Sequence, residues 1–259
     1  MDATTAWDLF IAGFTDSGHA RRHATRFRAG PLEAVRFAAG ELSGTPFEEF
    51  FVRDCDPAAA LAAVTAHQPL PRHYLTVLED RPGLRETYER GGYRLDDTET
   101  LMVCDLAALA LLTPAPGVTL LREDAADWHN RNDPQGIRWA LPENLADPRM
   151  AHYAITLRVS CANVRDGQLI ARGRNLWLDA QHSYVSRVYV AEAWRGQGLA
   201  RALMARLLAD DIARGARWSV LTASRMGERL YAGLGYRVLG TILIFEPNEG
   251  VVGAEGGDG

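Results

Sequence analysis

At 259 residues with a net charge of −5, the chain has room for one large domain or two small ones, and that charge argues against nucleic acid as the main partner. Its 47% hydrophobic and 24% charged residues are an ordinary soluble globular balance, no apolar run approaches the length of a membrane span, and the N-terminus lacks a basic region followed by an apolar core. Cys55, Cys104 and Cys161 are odd in number and far apart, so neither a disulfide framework nor a metal site is indicated, and a reducing cytoplasm is the default expectation.

In chain order, Met1 to about Ala29 has a mixed pattern and a basic cluster, Arg21-Arg22-His23 with Arg26 and Arg28, which reads as a solvated helix or loop. Ala34 to Ala38 and Phe47 to Arg53 read as strands. Asp56-Pro57 starts an alanine-rich helix ending near His67, with Asp56 as N-cap and Pro57 at the first helical position. Arg72 to Glu79 is a strand, Leu84 to Arg90 a helix and Thr98 to Leu106 another strand. Thr113-Pro114-Ala115-Pro116-Gly117 reads as a linker.

Beyond it, Val118 to Arg122, Tyr153 to Val164 and Gln168 to Leu178 read as strands, the last two joined by an Asp166-Gly167 hairpin turn. Between the first two of these lies a stretch rich in Trp, His, Asn and Arg around Trp128-His129-Asn130-Arg131. The alternating Arg187-Val188-Tyr189-Val190 reads as a strand, followed by the turn Arg195-Gly196-Gln197-Gly198 and a helix with an apolar stripe of Leu199, Leu203 and Leu207. That helix stops at Arg214-Gly215. A further strand, Trp218 to Thr222, precedes Arg229-Leu230-Tyr231-Ala232-Gly233-Leu234-Gly235-Tyr236, and the Gly-rich acidic tail after Pro247 is expected to be disordered.

A strand, glycine turn and helix can hold an anion, because the first helical turn carries unpartnered N–H groups and a partial positive charge. The same glycines could instead permit tight strand-to-helix packing. There is no lysine for a Walker loop, and Arg201 stands where a Rossmann fingerprint needs its third glycine. Neither nucleotide motif fits.

What the stretch resembles is the acetyl-CoA signature of the GNAT acyltransferase superfamily, Arg/Gln-x-x-Gly-x-Gly/Ala, matched by Arg195 to Ala200. Arg229 to Tyr236 is similar to the family's "LYEKLGF" segment, and the resemblance covers about half the chain, from roughly Val118 to Phe245. It implies an N-acyltransferase that moves an acetyl group from acetyl-CoA, without a metal, to a primary amine by direct attack in a ternary complex. The family's central strand maps to Val188, Tyr189 and Val190, whose backbone would hold the pantetheine arm and acyl carbonyl. The diphosphate would rest on the N–H groups of Arg195, Gly196, Gln197, Gly198, Leu199 and Ala200. Tyr231 takes the family's general-acid position, a phenol protonated at neutral pH; its alternative role is packing on the sheet. Ser224 stands where many members have an asparagine that contacts the CoA arm. The Trp128–Asp133 region, Trp139 and Leu141 to Asn144 would line the acceptor site. Glu192, His182, Asp179 and Glu143 are candidate general bases, each with a plain reading as a solvated surface group.

A repeat joins the halves: Val77-Leu78, Tyr88 and Gly92-Tyr93-Arg94 recur as Val220-Leu221, Tyr231 and Gly235-Tyr236-Arg237 at one offset (236 − 93 = 143). The expected architecture is therefore α/β, two GNAT-like halves, each a mixed, mostly antiparallel sheet flanked by helices. Residues 1–113 form a degenerate domain, 117–248 the catalytic domain and 249–259 a tail. In the first half Asp56 occupies the helix start where a phosphate would bind, so that half is expected not to take CoA. A small-molecule amine is the expected acceptor, with no nucleic-acid or membrane partner. A protein lysine or N-terminus as acceptor, and a non-catalytic CoA-binding module, are the alternatives; the retained Arg195, Gly198 and Tyr231 argue against the module.

Overall fold

The computed structural model describes residues 1–39, 45–109, 120–122, 146–157 and 168–248. The linker at 113–117, the expected acceptor region at 123–145, the Asp166-Gly167 turn and the tail lie outside the described residues.

The chain forms two compact units: Met1–Arg21 with Leu101–Leu239, and Arg22–Thr100 with Gly240–Gly259. This grouping puts the internal boundary at Thr100/Leu101 rather than in the 113–117 linker, and it also differs at both chain ends. The N-terminal helix α1 (Ala3–Arg22) groups with the second half, and the end of the last strand groups with the first.

In the unit Arg22–Thr100 with Gly240–Gly259, β1 (Ala24–Ala29), β2 (Leu32–Phe37) and β3 (Phe47–Val52) are antiparallel neighbours. β4 (His73–Glu79) runs parallel to β3, and β11 (Arg237–Pro247) pairs antiparallel with β4 through Thr241–Phe245. The helix between β3 and β4, α2 (Pro57–His67), is capped as its sequence predicts: the Asp56 carboxylate accepts from Ala58 N at 2.9 Å and Ala59 N at 3.2 Å. Next come α3 (Leu84–Arg90) and β5 (Tyr93–Asp105). β5 starts earlier than the expected Thr98, because Tyr93 to Asp96 alternate between half-buried and exposed and so fit a pleated strand despite their polarity. The core here gathers Phe50, Leu75, Val77, Leu84, Tyr88 and Phe245.

In the other unit the sheet order is β5–β10–β9–β8–β7–β6, built from the end of β5 with β6 (Leu120–Arg122), β7 (Met150–Leu157), β8 (Gln168–Trp177), β9 (His182–Val190) and β10 (Trp218–Ser224). β6 to β9 are antiparallel, whereas β9 and β10 are parallel. α4 (Leu199–Ala213) connects β9 to β10, and α5 (Arg225–Ala232) connects β10 to β11. Leu199, Leu203, Met204, Leu207 and Leu208 of α4 enter the core, as the stripe predicts, and Gly215 ends the helix with φ +85°. Asp211 is buried on the same helix, accepting from Ser183 Oγ at 2.6 Å and Asn175 Nδ2 at 2.7 Å.

The reading of the first 29 residues as solvated needs correction. α1 buries Ala6, Trp7, Phe10 and Ile11, and Phe10 meets the ring of Tyr184 on β9 at 6.4 Å. The basic cluster draws attention to residues 21–28, but the apolar positions that decide burial lie upstream at helical spacing. Arg26 and Arg28 are exposed, on β1.

The two stretches that align at the offset of 143 have the same order of elements. β4–α3–β5 and β10–α5–β11 are the same strand–helix–strand passage, and the glycines at equivalent positions, Gly92 and Gly235, have φ of +92° and +93°. In each unit a parallel pair sits beside antiparallel neighbours.

Candidate active site

The site begins with an irregularity in β9. Its pairing with β8 slips by one residue between Arg172 and Arg174, so Arg187 and Val188 together stand opposite Gly173. This is a β-bulge, and Arg187 takes the left-handed conformation at φ +59°. Gly173 makes room, since a Cβ there would meet Leu207 Cδ1 at 3.3 Å and Val188 Cγ2 at 3.4 Å. β9 and β10 pair only from Trp218↔His182 to Val220↔Tyr184. Past that point the two strands part, and their ends, Val188 to Val190 and Ser224, line a cavity of about 500 Å³. The side chains of Val188 and Val190 pack on the core.

The turn after β9 forms the next wall. Glu192–Trp194 is a single 3-10 turn, and then Gly196 and Gly198 take φ of +75° and +79°. A Cβ on either glycine would meet no protein atom within 4 Å. Tight strand-to-helix packing therefore does not explain them; the left-handed backbone does, and the space above them is open. Gly198 is the N-cap of α4 and supplies no side-chain acceptor to the first turn. Arg195, Gly196, Gly198, Leu199 and Ala200 line the cavity, whereas Gln197 does not. One member of the expected N–H cradle is already engaged: Arg195 N donates to the Glu192 carbonyl at 3.1 Å, closing the 3-10 turn. The Arg195 side chain donates from Nε to the Val190 carbonyl at 3.2 Å, tying the turn to the end of β9.

α5 closes the site. Ser224 caps it, its Oγ accepting from Gly227 N at 3.3 Å, so the hydroxyl that stands in for the expected asparagine holds the helix as well as facing the cavity. Tyr231 lines the cavity and also belongs to the core, 8% exposed with its ring 5.8 Å from that of Tyr236. Packing on the sheet is thus observed for Tyr231, together with a place on the cavity wall. Gly227 gives it space: a Cβ there would stand 2.9 Å from Tyr231 Cε2.

Trp194, Arg201, Met226, Gly227 and Leu230 complete the lining and escaped the sequence reading. Two carried a signal. Arg201 adds a cation to the first turn of α4, and Gly227 aligns in the repeat with Leu84, a residue buried in the core beside Tyr88. Of the candidate bases, Asp179 accepts from Gln181 N at 2.7 Å and His182 N at 2.9 Å and from the His182 ring, which makes the pair a turn lock at the start of β9. Those bonds outweigh desolvation and lower the Asp179 pKa. Glu192 is exposed and does not line the cavity, and Glu143 lies outside the described residues.

The corresponding passage of the other unit is built differently. β3 pairs with β4 up to its last residue, Val52↔Val77, and Arg81 Nη2 donates to the Cys55 carbonyl at 2.9 Å. Asp56 fills the start of α2. Tyr88, the counterpart of Tyr231, is wholly buried, and burial pushes its hydroxyl to a pKa well above the ordinary phenol value.

Comparison with known proteins bears on the fold and on one stretch of the sequence. Residues 159–238 match the family model for an acetyltransferase (GNAT) domain. No curated protein matches the sequence. Among solved structures, a GCN5-related N-acetyltransferase from Kribbella flavida is 19% identical, with 97% of this chain and 98% of that one covered at a TM-score of 0.66. A GCN5-related N-acetyltransferase from Sphaerobacter thermophilus is 16% identical over 82% of this chain and 76% of that one, with a TM-score of 0.56. A tandem GNAT protein from the clavulanic acid biosynthesis pathway is 14% identical over 88% and 85%, with a TM-score of 0.53. At these identities the structures share the fold. Residues 159–238 thus match a GNAT acetyltransferase domain, set in a chain whose fold N-acetyltransferases share.

Proposed function

We propose that the unit containing α4 binds acetyl-CoA and transfers its acetyl group to the primary amine of a small molecule. The observation that carries this reading is the start of α4: an N-cap glycine with no side-chain acceptor, open space above it, and a cavity that runs from there between the parted strands to Tyr231. A diphosphate would find the backbone N–H groups from Gly196 onward, with Arg195 and Arg201 supplying charge. The main chain at Val188 to Val190 would orient the pantetheine arm and the thioester carbonyl. The amine nitrogen attacks the carbonyl carbon, the C–S bond breaks, and Tyr231 is the proton donor for the departing thiolate. The nitrogen's own proton leaves to solvent, and the Tyr231 phenolate takes a proton back from solvent.

The other half serves no CoA in this reading. Its sealed strand pair and the Asp56 carboxylate at the start of α2 support that assignment. No helix of the described residues is long and apolar enough to cross a membrane. With the net charge of −5, this supports a cytoplasmic enzyme acting on a cationic small molecule rather than on nucleic acid or at a membrane.

The test is calorimetric titration with CoA, followed by thiol release from acetyl-CoA across a panel of amines that includes a lysine peptide. Saturable binding and turnover with a small amine are expected. No CoA binding refutes the site, and turnover with the peptide alone moves the acceptor to protein.

A further inference from the structure

We infer that Arg172, a buried residue of β8, is a positioning residue for acyl transfer: it grips β9 on both sides of Val188 and so fixes the bulge that opens the strand toward the cavity. The inference rests on the reading of Val188 to Val190 as the wall that orients the thioester.

Arg172 is 2% exposed, an unusual place for a guanidinium. One of its nitrogens, Nη1, donates to the main-chain carbonyl of Arg187 at 3.1 Å. Its guanidinium carbon also lies 5.0 Å from the centre of the Tyr189 ring, a cation–π contact. Arg187 and Tyr189 flank Val188, and Tyr189 and Val188 both line the cavity. One side chain thus holds the residue before and the residue after the strand's turning point.

The turning point needs holding. Arg187 occupies the bulge position usually given to glycine, at φ +59°, a conformation an L residue with a long side chain resists. A planar guanidinium can serve a carbonyl and an aromatic face together, which the point charge of lysine does less well. Without the grip, the strand gains by relaxing Arg187 toward an ordinary extended conformation. That would restore regular alternation and turn the main chain at Val188 and Tyr189 away from its present direction. Arg174, two residues along on the same face of β8, is bonded instead to Ser186 Oγ at 2.9 Å, outside the bulge.

The experiment is a double-mutant cycle on the full-length protein, Arg172→Met with Arg187→Gly. Glycine adopts the left-handed conformation without cost, so it makes the grip dispensable. The first readout needs no ligand: amide hydrogen exchange of residues 185–190. Arg172→Met should lose protection there, and the double variant should regain it. The second is thiol release from acetyl-CoA with the best amine of the panel. Arg172→Met should lower kcat by at least about tenfold, because sub-ångström misplacement of a reacting carbonyl is costly. Calorimetric Kd for CoA should change less than about threefold, since the diphosphate contacts lie elsewhere. Arg172→Lys should recover only part of the loss. In the Arg187→Gly background the penalty of Arg172→Met should shrink by about fivefold or more.

If Arg172→Met fails to fold, Arg187→Val against Arg187→Asn replaces it. Asparagine tolerates positive φ and valine does not, so valine should show the lower kcat by about tenfold. Equal penalties in the two Arg187 backgrounds, or equal rates for Val and Asn, overturn the inference. Loss of protection with turnover unchanged overturns the positioning role. A wild-type protein that shows the exchange pattern but binds no CoA overturns the proposed function instead, and with it the catalytic consequence of the grip.

Discussion

Gly198→Asn and Gly198→Asp make a matched pair at the helix start. Both side chains tolerate the left-handed backbone at φ +79° better than other residues, and neither meets a protein atom at its Cβ. They differ by one negative charge. At about 5 Å from a bound phosphate, one unit charge costs about 1 to 3 kcal/mol for effective dielectric constants between that of water and about 20. The aspartate variant should therefore bind CoA roughly 5- to 150-fold more weakly than the asparagine variant. The gap should narrow in high salt, because the N-cap is exposed. Stability should move the other way: a carboxylate at the positive end of α4 favours the free protein by about 0.3 to 1 kcal/mol. Titration calorimetry with CoA at two ionic strengths reads the first effect, and thermal melts without ligand the second. Equal affinities for the two variants would mean that no anion rests on this helix start, and the argument for a CoA site would fail.

Tyr231→Phe keeps the ring and its packing against Tyr236, so CoA affinity should hold while kcat falls by about 100-fold or more, the usual range for losing a general acid; steady-state kinetics decide it. Asp211 has its pKa raised to about 6, chiefly by burial, against 3.8 in the unfolded chain. The raised value makes its contribution greatest below the unfolded pKa and removes it as pH rises through 6. This carboxyl alone should then cost about 3 kcal/mol between pH 3 and pH 8, about 1 of it between pH 5 and 7. Urea melts of the wild type and Asp211→Asn should show the pH dependence flattened in the variant. Gly13→Ala puts a methyl 2.2 Å from Tyr184 Cγ, so despite a gain of about 1 kcal/mol in helix propensity it should destabilise the protein by about 1 to 3 kcal/mol, as denaturant melts would report.

Local chemistry made much of the fold legible. Asp56-Pro57 announces a capped helix because a carboxylate bonds first-turn amides wherever it meets them, and Arg214-Gly215 stops one because glycine takes positive φ cheaply. Gly196 and Gly198, at the start of α4, carried their signal for the same reason. What sequence reading missed depends on partners remote in the chain. The burial of α1 needs Tyr184, and the pairing of β4 needs a strand more than 160 residues later. The engagement of Arg195 N follows from a 3-10 turn that its glycine-rich surroundings do not advertise. The bulge in β9 was invisible because Arg187 stands where a glycine would have marked it.

The proposed function asks one strand–helix–strand passage to serve chemistry in the unit containing α4 and packing in the other. Tyr88 and Tyr231 sit at equivalent places on equivalent helices, and both belong to a core. Their surroundings separate them. Gly227 leaves a space beside Tyr231 that opens on a cavity, whereas the aligned Leu84 is buried with Tyr88. β9 parts from β10 after Tyr184, whereas β3 stays paired with β4 to its end. α4 starts on a bare glycine, whereas α2 starts on a carboxylate that serves its own amides. Each difference satisfies, in the unit containing α2, a group that the proposed function leaves for a ligand in the unit containing α4: an amide, a strand edge, the face of a phenol. Stability and binding compete for the same atoms here. The unit that has spent those atoms on itself is the one expected to lack the ligand.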